Sequence, residues 1–517
     1  MSHPFRLRAT ALTVCAVLLP ALLAGCGGDG ENGEHEDLTR QELRWKDCPA
    51  PSAAQGGGPA PSPLPGGTPW QCATMKAPLD WDEPGGDTID LALIRARSSG
   101  EAGERLGSLI FNFGGPGASG VASLPAFGED YAALRTRYDL VSFDPRGVGR
   151  SAPVICEGDR QLDVYFQQDA TPDDSAERTG LLDDTRRFNA ACEENSERVL
   201  PHVRTTDAAR DLDLMRRVLG DDELHYFGVS YGTELGGVYA HLFPEKVGRA
   251  VFDAVVDPTQ DPEQGSLGQA RGFQLAFDNY AAHCVSRAGG CPVGDSAQDV
   301  KDRVAGFLED LDADPVPGLF PRELTQTAAT NGIVQALYSQ DLWEFLTDGL
   351  REAYDGDGTL LMVLSDSSNG RDRNGEYSNL VAANVSINCA DDKSRYDAED
   401  VERRLPAFRA ASELFGDYLA WGLVGCTDWA VPGAADHPEV SAPGAAPILV
   451  IGNTGDPATP YEGARRMARA LGEGVGVELT YRGQGHGAYT GGNRCVRDTV
   501  DGYLLDGKVP ADGTVCS

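Results

Sequence analysis

The chain has 517 residues, a net charge of −35 and 12 cysteines. A surface this acidic repels nucleic acid and anionic lipid headgroups, which excludes nucleic-acid binding and membrane attachment through a basic patch. The length exceeds one ordinary domain and calls for a large core plus something else. Residues 1–25 carry Arg6 and Arg8 and then the apolar stretch Ala9–Ala24, interrupted by Thr10, Thr13 and Pro20 and too short for a comfortable membrane span. A basic start followed by an apolar run of this length reads as a secretory leader. It ends Leu22-Leu23-Ala24-Gly25-Cys26, the form of a bacterial lipobox, whose cysteine becomes the lipidated first residue. A plain secretory leader cut after small residues is the alternative. Loss of Arg6 and Arg8 takes the net charge to −37, so any membrane contact then runs through the lipid on Cys26.

Residues 26–44 follow as a tether, rich in Gly, Glu and Asp over 27–37. Residues 49–69, rich in Pro, Gly, Ala and Ser between Cys48 and Cys72, read as a low-complexity surface loop. Apart from Cys15 and Cys26, ten cysteines remain, an even number that in an exported chain suggests disulfides. Ten cysteines allow about 945 pairings. Neighbours in chain order are the expected pairs, because each then closes a local loop. A zinc site is not expected, since Cys284 and Cys291 have six residues between them and only His283 beside them. No metal and no cofactor is expected elsewhere.

From residue 45 strand-like and helix-like segments alternate. Ile89–Ile94, Ser108–Phe113 and Tyr138–Phe143 read as strands, the second running into Gly114-Gly115-Pro116-Gly117 and the third into Asp144-Pro145-Arg146-Gly147. Thr206 is the expected N-cap of a helix with Leu212, Met215, Val218 and Leu219 on one face. A strand over 224–227, a helix over Tyr231–Leu242 and a strand over Ala250–Val256 follow. Short buried strands separated by helices indicate a parallel α/β sheet over 45–257. Between residues 258 and 443 the pattern turns to longer helices, over Ala270–Val285, Ala297–Leu311 and Leu342–Ala353, and reads as an inserted helical cap. The α/β rhythm returns over 444–517 with a strand at Pro447–Gly452, a helix at Tyr461–Leu471, a strand at Val477–Tyr481 and a last helix at Cys495–Leu505.

Ser230 lies in Gly228-Val229-Ser230-Tyr231-Gly232, directly after an apolar run, which is the sequence form of a nucleophile elbow. Such a pentapeptide arises by chance about 0.4 times in a chain of this composition, so its context decides. A serine hydroxyl is a weak nucleophile and needs a histidine to take its proton and a carboxylate to orient that histidine. Asp456, just after the strand ending at Gly452, and His486, in Gly485-His486-Gly487 after the next strand, supply both in the order Ser, Asp, His. An oxyanion calls for backbone donors, expected from the amides of Tyr231 and Gly115. Thr459, before Pro460, fits an N-cap near Asp456. Asp144 and Arg146 read as a loop-stabilising pair. Glu234, one helical turn after Ser230, is a candidate for a substrate amine.

Together the lipobox, GGPG, FDPRGVGRS, GVSYGTELGG, GDPATP and GQGHG resemble the exported tripeptidyl aminopeptidase-like branch of the α/β-hydrolases, related to prolyl aminopeptidases, over nearly everything from Trp45 to Cys516. The resemblance implies an α/β-hydrolase fold, with a mostly parallel sheet and an inserted helical cap. It further implies Ser230, Asp456 and His486 as nucleophile, acid and base, Gly115 in the oxyanion hole, and a cap pocket for a peptide N-terminus. Prolyl aminopeptidases bind the free amine with cap carboxylates, and Asp391 or Asp392 in Asn388-Cys389-Ala390-Asp391-Asp392 would serve that purpose. Glu234 departs from the aromatic residue that relatives often carry there. The implied activity is an exported serine exopeptidase acting from a free N-terminus. The alternatives are a carboxylic-ester hydrolase on the same scaffold and, should a triad residue be missing, a non-enzymatic surface protein.

Overall fold

The expected strand before Ser230 belongs to a ten-stranded sheet in the computed structural model, which describes residues 37–517. The expected leader, Cys26 and the tether up to residue 36 lie outside the described residues. Residues 38–44, expected as tether, instead lie along the sheet. Gln41 exchanges hydrogen bonds of 2.7 and 2.8 Å with the backbone of Lys76, and Leu38 and Leu43 pack on the core.

The strands are β1 (Lys46–Asp47), β2 (Gln71–Pro78), β3 (Thr88–Ala96), β4 (Gly107–Asn112), β5 (Tyr138–Phe143), β6 (Leu224–Val229), β7 (Val247–Asp253), a separate ribbon of β8 (Val316–Pro317) and β9 (Glu323–Leu324), then β10 (Ile448–Gly455), β11 (Gly476–Gln484) and β12 (Thr514–Cys516). Their order in the sheet is β1-β2-β3-β5-β4-β6-β7-β10-β11-β12. The three pairings from β1 to β5 are antiparallel and every later one is parallel. Alternate residues of the central strands feed two cores. Ile110, Tyr226, Phe252 and Val450 face one side; Leu109, Phe111, Phe227, Val251 and Leu449 face the other. Burial on both faces explains why these strands are apolar runs rather than alternating ones.

Before the cap come α1 (Gly120–Phe127), α2 (Asp159–Tyr165), α3 (Ser175–Ser196), α4 (Thr205–Leu219) and α5 (Tyr231–Leu242). The helical stretch supplies α6 (Pro262–Ser286), α7 (Ala297–Ala313), α8 (Gln326–Leu337), α9 (Trp343–Tyr354), α10 (Thr359–Asn369), α11 (Leu380–Asp391), α12 (Ala398–Ala411) and α13 (Gly416–Trp421), and the C-terminal part adds α14 (Glu462–Leu471) and α15 (Arg494–Asp506). Helices α6–α10 share their own apolar core around Phe277, Val304, Ile333, Leu346 and Leu361. Helix α3, which the sequence reading passed over, joins α12 and α13 in a further cluster through Leu181, Val401, Phe408 and Trp421. The helical layer therefore recruits a segment from before Ser230.

Two boundaries differ from expectation. The strand expected over Ala250–Val256 is β7, which ends at Asp253 because Ala254 turns to φ 54°. The helix expected to be capped by Thr206 starts at Thr205, and its first N–H is met by Asp391 of α11 at 2.9 Å. Among the described residues five disulfides join the ten cysteines in chain order, Cys48–Cys72, Cys156–Cys192, Cys284–Cys291, Cys389–Cys426 and Cys495–Cys516. Such bonds form and persist outside the cytoplasm.

Strand order reverses at β4, whose neighbours are β5 on one side and β6 on the other. In open α/β sheets that reversal opens a crevice at the carboxyl ends of the strands, where ligands bind. The Gly114–Gly117 loop leaves β4 there, and Ser230 leaves β6.

Candidate active site

Ser230 occupies the turn between β6 and α5 with φ 59° and ψ −128°, a conformation that a residue with a side chain adopts only when its surroundings enforce it. Those surroundings are tight. A Cβ on Gly232 would stand 2.5 Å from the Asn112 carbonyl oxygen, so the close approach of α5 to β4 requires glycine there. The Ser230 N–H donates to the Asp253 carbonyl at 3.0 Å, and its own carbonyl accepts from the Thr233 N–H at 2.8 Å and hydroxyl at 2.7 Å. The residue is half-buried.

The Asp456 carboxylate is buried in the turn after β10. It accepts the N–H groups of Ala458 and Thr459 at 3.0 and 2.9 Å, and His486 Nδ1 lies 2.9 and 3.1 Å from its two oxygens. Burial disfavours the imidazolium of His486, but the charge and hydrogen bond of Asp456, with Asp253 behind it, outweigh burial and hold its pKa above the ordinary imidazole value. The loop bearing His486 is fixed from three sides. Its N–H donates to the Tyr338 carbonyl at the end of α8 at 2.8 Å. Asn453 Nδ2 donates to the Gly485 carbonyl at 2.6 Å. Ala488 and Tyr489 donate to the Asp253 carboxylate. The Tyr338 ring meets the imidazole edge-on, with centroids 5.1 Å apart.

The structure thus brings Asp456 and His486 into direct contact. Ser230 is joined to their loop through Asp253, while its hydroxyl forms no hydrogen bond with His486 among the described residues. The Gly114–Gly117 loop lies against the elbow, where a Cβ on Gly114 would be 2.8 Å from Ser230 Cβ and 3.1 Å from the Tyr231 nitrogen. The Tyr231 amide, first in α5, has no carbonyl within its helix to meet. Neither it nor the Gly115 amide donates to another backbone carbonyl among the described residues.

Other expected residues fall differently. Thr459 is no helix cap, since α14 begins at Glu462. It belongs to the Asp456 turn, with its hydroxyl 3.4 Å from His486 Nδ1. Asp144 and Arg146 do not pair with each other. Arg146 is buried in a bidentate pair with Asp211 at 2.7 Å, and Asp144 accepts from Gln55, Ser119, Val121 and Arg150. Both are scaffold. Asp391 accepts from the Thr205 N–H and hydroxyl at 2.9 and 2.6 Å, and that hydroxyl lies 2.5 Å from the Tyr231 phenol. Burial pushes Asp391 up to about 7 against those bonds. Burial, then the charges of Asp391 and Asp392, push Glu234 up to about 8. Asp392 accepts the Ser394 N–H at 2.6 Å. Tyr338, Asn453 and Asp253 were missed from sequence. Only Asn453 carried a signal, its place in the Gly452–Pro457 turn.

A serine forced into a strained turn at the switch point, with a buried carboxylate on a histidine of an adjoining loop, is an arrangement for acyl transfer, and it defines a serine hydrolase of the α/β-hydrolase fold. Residues 412–516 match the family described as TAP-like protein. Serine protease Hip1 of Mycobacterium tuberculosis is 37% identical over 525 residues, covering 98% of this chain and 96% of that protein. Carboxylesterase B of the same species is 38% identical, with 86% of each chain covered. Tripeptidyl aminopeptidase of Streptomyces lividans is 31% identical over 92% of this chain and 87% of its own. The chain belongs to the tripeptidyl aminopeptidase-like family of α/β-hydrolase serine peptidases.

Proposed function

We propose that this protein removes short peptides or a proline residue from a free peptide N-terminus through an acyl-enzyme. Ser230 attacks the scissile carbonyl, His486 takes its proton and returns it to the leaving amine, and Asp456 holds the imidazole in the productive tautomer. The amides of Gly115 and Tyr231 meet the oxyanion. The observation that carries this reading is the Asp456–His486 bond on a loop tied to a serine held at φ 59°. A serine hydroxyl needs only a side-chain rotation to engage a base on an adjoining loop, and such bonds tighten when substrate arrives.

A positive substrate terminus has its match in Glu234, which holds its proton in the free protein and ionises when an ammonium group comes beside it. It lies one turn along α5 from Ser230, is half-buried, and makes no ion pair among the described residues. Asp391 and Asp392 are already occupied by Thr205 and Ser394, and they add negative potential around it. The cap over residues 258–443, with α3, limits the length of peptide admitted. The mature chain is held outside the cytoplasm as a lipoprotein through Cys26.

A second reading is supported by the 38% identity to a protein named carboxylesterase B: the same residues hydrolyse carboxylic esters, and only the pocket chooses the acyl group. Chromogenic tripeptide and prolyl amides, each with a free and an acetylated terminus, and short-chain esters separate the two. Free-terminus amides are cleaved and acetylated ones are not, with activity lost by more than about 10⁴-fold in Ser230→Ala. Equal cleavage of blocked and free amides refutes the aminopeptidase reading, and activity retained in Ser230→Ala refutes the mechanism.

A further inference from the structure

We propose that Asp253 is a positioning residue that fixes the spacing between nucleophile and base by holding the Ser230 turn and the His486 loop at once. The inference rests on the roles given above to Ser230, Asp456 and His486. Asp253 is the last residue of β7, the strand between β6 and β10, and it stands in register with Val229 on one side and Ile451 on the other. Its carbonyl accepts the Ser230 N–H at 3.0 Å. Its carboxylate accepts the Ala488 N–H at 3.0 Å to both oxygens and the Tyr489 N–H at 2.9 Å. One buried residue, 3% exposed, therefore grips the backbone of both loops.

Every group on that carboxylate is a donor, so a carboxylate satisfies all of them. An asparagine would set its own N–H₂ against one of two buried N–H groups and leave it unpaired. The charge has a second consequence. The groups around the imidazole are Asp456 from the turn after β10, the Thr459 hydroxyl and the ring of Tyr338 at the end of α8, with the charge of Asp253 from β7 behind them. Of these only the two aspartates ionise as anions; burial raises the Asp253 pKa, and the Ala488 and Tyr489 amides and the imidazolium work against that rise. Removing the Asp253 charge lowers the preference for the imidazolium, so His486 loses its proton at lower pH.

The test uses the full chain and three forms, wild type, Asp253→Asn and Asn453→Ala, the last removing the uncharged tether to Gly485. Steady-state cleavage of a free-terminus tripeptide anilide is measured across pH, along with the rate at which a fluorophosphonate labels Ser230. Asp253→Asn keeps KM within about threefold, loses about 10²-fold in kcat and in labelling rate, and moves the acid limb to lower pH. Asn453→Ala lowers kcat with the limb unmoved. A kcat of Asp253→Asn within threefold of wild type overturns the proposal, and so does a fall in kcat with the limb in place. Should Asp253→Asn fail to fold, hydrogen exchange on wild type decides. Ser230, Ala488 and Tyr489 amides exchange as slowly as β7, whereas fast exchange at Ala488 and Tyr489 refutes the proposal. Wild type that is active but unlabelled at Ser230 removes the underlying roles, and the proposal falls with them, separately from any result on Asp253.

Discussion

In the proposed mechanism Asp456 and His486 set the pH at which the site works. A general base must be neutral, and the Asp456 charge and hydrogen bond hold His486 protonated to higher pH than burial alone would allow. The acid limb of kcat/KM therefore lies above the usual imidazole pKa, and activity falls as pH drops through it. In Asp456→Asn both supports disappear while burial stays, so the limb moves to lower pH and the plateau falls by about 10⁴-fold as the tautomer is lost. A pH–rate profile of both proteins checks this, and a limb that stays in place would contradict the assignment of the pair. Arg146 makes the opposite point at the same scale. It is buried with Asp211 and bonded to the carbonyls of Pro78, Leu79 and His202, so its charge is spent on tying strands and loops together.

Among the elements, α11 links the two ends of the site. Its first turn lies on the Gly114–Gly117 loop, where Asn384 Nδ2 donates to the Pro116 carbonyl at 3.1 Å, and its last residue caps α4 through Asp391. Glu234 on α5 feels that last turn as negative charge. The folded protein keeps the Glu234 proton up to about 8, whereas the unfolded chain releases it near the ordinary glutamate value. Folded protein binds more protons across that window, so this group's contribution to stability falls as pH rises from about 4.5 to about 8. Glu234→Gln removes that slope: its Tm gains on wild type at pH 8 and not at pH 4, and KM for free-terminus substrates rises. Unchanged differences across pH would show that Glu234 ionises normally. The parallel strands, α5 and the order Ser, Asp, His were legible because each is local: an apolar run, a glycine-flanked turn, a fixed sequence. Asp253 was not, because its strand was set three residues too late, which placed it inside a strand rather than at its end. Helix α3 was overlooked because its face is mostly charged and only a few residues, Leu181 and Phe188 among them, are buried. Asp391 was recognised as an acid beside a cysteine, but its work on α4 depends on a contact 186 residues away.

At the level of the whole molecule, disulfides bracket segments that the sheet alone does not hold. Cys389–Cys426 fastens the end of α11 across a separation of 37 residues. Replacing both cysteines by serine costs about 3–4 kcal/mol through the freed unfolded chain. Chemical denaturation of the pair variant reads this directly, and a cost under about 1 kcal/mol would mean that packing alone secures α11. The net charge of −35 keeps such a protein in solution but adds self-repulsion, which such cross-links offset.

The bond from His486 to the carbonyl of Tyr338 joins the base to the end of α8, a helix formed about 150 residues earlier in the chain. His486, carried by residues 444–517, is thus anchored on a helical layer that precedes it in the chain. In the proposed mechanism the base therefore depends for its position on the helical layer as well as on the sheet.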